Sequence, residues 1–166
     1  MKKVCILLVL VALLSGCAVQ PAWETVFDQL ETPVMAQMRQ LDVALPKEAT
    51  APTLQSEDAG ALYLCDGYTL SIQTMSAGDL DATMRSLSGF SKDQLTVMTT
   101  EKHGIRRYDC VWSAAGEGGD QVARAVILDD GNYHYAVTVM ADFASAGDLA
   151  DTWKDILDSV KFSDTD

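Results

Sequence analysis

Between residues 95 and 140 the chain runs through four segments in close succession: LTVMTT, GIRRYDCVWSAA, DQVARAVILDD and NYHYAVTVM. Each carries the β-branched and aromatic residues that fit a pleated, half-buried surface. Only short glycine-bearing turns separate them, too short for a parallel crossover, so neighbouring strands must run antiparallel. Upstream, ALYLCDGYTLSIQTM repeats the design on a smaller scale. Its Asp66-Gly67 pair is a strong short hairpin signal, because a type I′ turn needs positive φ at both central residues. A second Asp-Gly pair, in LDDGNY, predicts the turn between the last two strands. Leu41, Val43 and Leu45 alternate with small or polar residues up to Pro46 and read as a first strand. Residues 47–60 read as a loop by composition.

Two segments change the period from 2 to 3.6. In SAGDLDATMRSLSG, Leu80, Met84 and Leu87 share one helical face. In GDLADTWKDILDSVKF, Leu149, Trp153, Ile156, Leu157 and Val160 form an apolar stripe, and Asp148, Asp151, Asp155 and Asp158 fall largely on the wet side. The pentapeptide SAGDL precedes both helices, at 76–80 and 145–149. The flanking residues do not match, so shared capping chemistry explains the echo better than a duplication. Strands and two helices in this order give an α+β domain, an antiparallel β-sheet packed against helices, over residues 37–166.

The front of the chain reads differently. Lys2 and Lys3 precede an apolar run, Val4 to Leu14, too short for the roughly 20 residues that span a bilayer. That is the build of a cleavable secretory signal. The run ends in Leu14-Ser15-Gly16-Cys17, which resembles the lipobox of bacterial lipoproteins. The resemblance implies a signal peptide over residues 1–16, acylation of the Cys17 thiol, and anchoring in a cell membrane on its extracytoplasmic side. Residues 17–36 would then be a lipidated tether with a short helix, since Trp23, Val26, Phe27 and Leu30 recur at helical spacing over 23–31. The acids Glu24, Asp28 and Glu31 on its polar face favour packing over an interfacial role.

Charge narrows the partners. The 166 residues hold 12 Lys and Arg against 24 Asp and Glu, a formal charge of −12, and loss of the leader would remove two of the lysines. Such a surface disfavours nucleic acid, and it leaves attachment to the membrane to the lipid.

Little points to catalysis. His134, in Tyr133-His134-Tyr135, lies on the strand face opposite the two tyrosines, and no ligand-type residue stands at metal spacing around it. His103 sits in a turn. No serine occupies a G-x-S-x-G elbow. AAGEGGD, at 114–120, lacks the lysine and hydroxyl of a phosphate loop and reads as a hairpin connection. Asp129-Asp130-Gly131-Asn132 is a turn rather than a calcium loop. Neither a metal nor a cofactor is expected. Cys65 and Cys110 allow one disulfide in an exported chain; the alternative is two thiols buried in strands. Tyr108 and Trp112 share one strand face with Cys110, and Tyr133 and Tyr135 share another. If those faces adjoin they could line a groove for an apolar or sugar ligand; otherwise they are core.

The closing segment YHYAVTVMADFASAGDLADTWKDILDSVKF resembles the end of PsbP-like domains: a last long strand, then a helix carrying an aromatic, an aliphatic and a late serine. Trp153, Ile156 and Ser159 stand at those positions, and Val160 replaces a frequent aromatic. The resemblance implies a non-enzymatic accessory or binding role and brings no catalytic residues; an envelope protein could then be the partner of such an assembly module. The alternative is an extracytoplasmic small-ligand carrier or hydrolase using the Tyr/Trp faces and His134.

Overall fold

The structure, a computed structural model, describes residues 36–49, 51–56, 60–116 and 119–163. The leader, Cys17 and the 23–31 helix expected from sequence lie outside the described residues. In chain order the elements are β1 (Leu41–Asp42), β2 (Leu54–Ser56), β3 (Gly60–Cys65), β4 (Tyr68–Ser76), α1 (Leu80–Ser88), β5 (Thr96–Lys102), β6 (Ile105–Gly116), β7 (Gly119–Asp129), β8 (Tyr133–Asp142), α2 (Ala150–Ser159) and β9 (Lys161–Phe162). Seven strands form one antiparallel sheet in the order β2-β3-β4-β8-β7-β6-β5, and β1 pairs with β9 in a separate two-stranded ribbon. The four segments of residues 95–140 are thus a meander, whose last strand closes against β4.

Register explains how both sheet faces become core. Leu70 pairs with Val139, Val126 with Val137 and Leu128 with Tyr135, so these six side chains share one face. Helix α2 covers it with Trp153, Ile156 and Leu157, joined by Val160 and Phe162. Ile127 pairs with Ala136 and with Tyr108, and these point the other way, where Met84 of α1 closes a smaller cluster. Strands β7 and β8 carry helix on both sides, so their central residues are buried without alternation, as in any sheet covered twice. Among the described residues the fold is α+β, with one α-helix on each face.

The turns differ in type from the sequence expectation. Two residues, Asp66 and Gly67, do join β3 to β4, but only Gly67 has positive φ (80°). The two-residue turn with both positions positive is His103-Gly104, at 54° and 75°, between β5 and β6. That is the type I′ pattern, with histidine where glycine or asparagine is usual.

Capping also divides the SAGDL echo. In the first copy Asp79, not Ser76, caps α1 by accepting from the Asp81 N–H at 3.0 Å. In the second, Ser145 donates to the Asp142 carbonyl and no side chain caps α2. The short strand β2 arose inside the expected loop. Three residues on a sheet edge give too little periodicity to read.

Candidate ligand groove

The aromatic groove suggested by sequence does not form. Tyr108 and Trp112 face α1's side of the sheet, because they pair with Ile127 and Ala123. Tyr133 and Tyr135 face α2's side, where the two rings meet edge-on with centroids 6.1 Å apart. Tyr135 is core: its hydroxyl accepts from the Arg39 N–H at 2.8 Å and donates to Asp130 at 3.2 Å, and its ring meets Phe162 at 4.9 Å.

The structure corrects the disulfide as well. Cys65 and Cys110 are both free thiols, half-buried and buried respectively. They sit on opposite sheet faces in strands β3 and β6, with β4, β8 and β7 between them. Four inter-strand steps of about 4.8 Å separate those strands, against the ~4.4–6.8 Å between Cα atoms that a bridge spans. Burial pushes the Cys110 thiol up to about 11, and it raises Cys65 too. Neither has the thiolate character of a reactive cysteine.

His134 lies beside a hydroxyl and an acid, the constellation a hydrolase would use. Its Nδ1 is 2.7 Å from Thr83 Oγ1, and its Nε2 is 3.7 Å from Asp129 Oδ2. Asp129 in turn binds Arg106 at 3.0 Å and accepts from the Gly131 N–H at 2.8 Å. All three members are buried, however, with His134 only 2% exposed. None of the cavities described here is lined by them. Burial outweighs the pull of Asp129 and lowers the pKa of His134, so the ring is neutral. The carboxylate favours the proton on Nε2, which leaves Nδ1 to accept from the Thr83 hydroxyl. The trio ties α1 to the sheet, and a nucleophile sealed from solvent cannot reach a substrate.

The open site lies elsewhere, where β5 and β6 extend beyond the cover of α2. Thr100, Arg107 and Leu128 stand on one cross-strand rung, and Lys102 pairs with Ile105 on the same face. The β1–β9 ribbon rises opposite them. Between lies a groove of about 590 Å³, floored by Ile105, Leu128, Val160 and Phe162 and rimmed by Arg39, Lys102, His103, Arg107 and Lys161. Four of the ten Lys and Arg residues from position 36 onward line it, and no Asp or Glu among the described residues does.

These cations are not equivalent. Arg107 is held by Asp109 through two hydrogen bonds of 2.8 and 2.9 Å, and donates to the Leu157 carbonyl at the end of α2 at 3.1 Å. It braces the groove wall. Lys161 is 3.4 Å from Asp42, with both side chains largely in water. The Arg39 guanidinium lies 3.8 Å over the Phe162 ring, a cation–π contact that fixes it at the apolar floor. Lys102 makes no ion pair among the described residues. A smaller groove of about 360 Å³ adjoins across the Arg107–Asp109 pair, with Thr96, Met98 and Val111 in its wall. Met98 and Val111 are 66% and 43% exposed. Sequence reasoning missed this site because its cations are spread from Arg39 to Lys161, and only the ribbon and the hairpin bring them together. No group of His, Cys, Asp and Glu among the described residues could hold a metal.

No protein-family model and no curated protein matches this chain. Among solved structures, it is similar to LpqN, described as involved in cell envelope biogenesis of Mycobacterium tuberculosis. The TM-score is 0.52 at 12% identity, over 77% of this chain and 86% of LpqN. A Pseudomonas aeruginosa protein of unknown function, PA94, aligns with a TM-score of 0.45 and 17% identity, over 69% of this chain and 91% of that one. The likeness to LpqN is one of fold.

Proposed function

We propose that this protein is a lipid-anchored, non-catalytic accessory module of the cell envelope, which holds a ligand or partner in the groove between the β5–β6 hairpin and the β1–β9 ribbon. The observation that carries the reading is the groove itself: a concave apolar floor under a cationic rim, on an otherwise acidic chain. A volume of about 590 Å³ lies within the range of small-molecule sites, roughly 300–1,000 Å³. Anchoring follows from Leu14-Ser15-Gly16-Cys17, whose cysteine would leave the domain outside the membrane with its lipid inside it. The envelope role ascribed to LpqN, which shares the fold, is consistent with that placement. Among the described residues no helix is long and apolar enough to cross a membrane, so attachment rests on the lipid in this reading. Kinship with PsbP-like domains belongs to the same proposal. It is supported by Trp153 and Ile156 in the core and by Ser159, whose hydroxyl accepts from the Ala44 N–H at 2.8 Å and donates to the Ile156 carbonyl at 2.6 Å.

Two measurements test the two halves. Mass spectrometry of membrane-extracted protein should find an acylated Cys17 as the first residue; an unmodified chain beginning elsewhere removes the anchor. A photoreactive amino acid at Thr100, in the groove, should give a discrete crosslinked product in intact cells, while the same residue at the exposed Asp93 should not. Equal labelling at both positions, or none at Thr100, refutes the groove as the binding site.

A further inference from the structure

We infer that the groove selects amphiphilic anions: molecules with an apolar body, such as a single alkyl chain, carrying a phosphate or carboxylate head. The inference rests on the groove being the binding site proposed above and adds the chemistry of its ligand. Four observations converge on it. The floor is made of side chains from three separate elements, with Leu128, Val160 and Phe162 buried in the core behind it, so it is rigid and apolar. The cations stand around that floor rather than along a flat surface, so a charge meets them only if the molecule's apolar part lies between them. No acid among the described residues lines the groove. Arg39 sits at the junction of the two chemistries, its guanidinium stacked on Phe162 at the apolar floor.

Charge at a distance does not cancel this preference. The whole chain is strongly acidic, but at physiological salt the Debye length is about 8 Å, so a bound head group responds to the cations beside it more than to acids across the molecule. The ion pairs already present sharpen the assignment. Arg107 is neutralised by Asp109, and Lys161 is partly so by Asp42. Among the described residues Lys102 and Arg39 are left as the groove's cations without an ion pair, on opposite walls. A neutral head group would strip water from both without compensation, and a cationic one would be repelled.

The test uses residues 17–166 carrying Cys17→Ser, which have neither the apolar leader nor a lipid and so can be titrated without detergent. Calorimetry with decyl phosphate below its micelle concentration is compared with decyl maltoside, decyltrimethylammonium and inorganic phosphate. Decyl phosphate should bind at least about tenfold more tightly than the neutral and cationic decyl compounds, the value of one charge-assisted contact. It should also bind roughly a hundredfold more tightly than inorganic phosphate, which leaves the floor empty. Lys102→Glu, a change at an exposed side chain, should erase the preference over decyl maltoside and leave the melting temperature unchanged. Equal binding of the neutral compound overturns the role of the cations, and equal binding of inorganic phosphate overturns that of the floor. A Lys102→Glu chain that keeps the preference overturns the site. If decyl phosphate fails to bind while Thr100 still crosslinks in cells, this inference falls and the groove stands as the site of a different partner; if both fail, both readings fall.

Discussion

Trp153 offers a quantitative test of how α2 holds the sheet. Its indole is 2% exposed and lies edge-on to Tyr68, with centroids 6.4 Å apart at 62°. Truncating such a ring to alanine costs about 3–5 kcal/mol in lost transfer and packing. One term runs the other way. The indole Nε1 is buried with no hydrogen-bond partner among the described residues, and an orphan donor of this kind costs the native state about 1–3 kcal/mol. Alanine releases that cost, so Trp153→Ala should sit near the lower end, at about 3 kcal/mol. For a domain of this size that is a fall of about 6–12 °C in melting temperature. Trp153→Phe keeps an aromatic edge against Tyr68 and drops the orphan N–H, so it should lose less than half as much. Urea melts of the three proteins, read by circular dichroism, decide the matter. An alanine variant that melts with the wild type would show that α2 is not packed through this ring. A phenylalanine variant as unstable as alanine would show that the indole N–H has a partner after all.

Three further outcomes follow from the buried polar network and the thiols. The pKa of His134 is depressed, chiefly by burial, below the ordinary 6.5 of the unfolded chain. The unfolded state therefore binds the extra proton first: stability is full above about pH 6.5 and declines as pH falls below it, a slope that His134→Gln should abolish. Asp81 and Asp158, lowered chiefly by the Lys92 backbone N–H and by Lys154 respectively, act in a separate window, losing their contribution only below their ordinary 3.8. Thr83→Val keeps the shape of the side chain but strands the His134 Nδ1, and chemical denaturation should show a loss of about 1–3 kcal/mol that Thr83→Ser largely avoids. Maleimide should label both Cys65 and Cys110 in unfolded, unreduced protein, and reductant should leave the melting temperature unchanged; a shift on reduction would contradict the free thiols.

What was legible in the sequence is what short-range chemistry dictates. Runs of β-branched and aromatic residues bounded by glycine-bearing turns located strands β3 to β8, because such residues fit a pleated, half-buried surface and the turns leave no room for a crossover. The Asp-Gly pairs marked where the chain turns at 66–67 and 130–132, though not the turn type, and the stripe through Trp153 and Ile156 gave α2. The placement of His134 opposite Tyr133 and Tyr135 also came from parity alone. Relations between elements were not legible. That Tyr108 and Tyr135 face opposite ways depends on register across β6, β7 and β8. That Cys65 and Cys110 lie four strands apart depends on the meander returning β8, rather than β5, to the side of β4. The groove is the extreme case. Arg39 and Phe162 meet because β1 pairs with β9 across the length of the domain, and Lys102 joins them through a hairpin turn. Loop closure and strand pairing over more than a hundred residues leave no periodic trace in the chain, so only the tertiary structure could place those charges around one apolar floor.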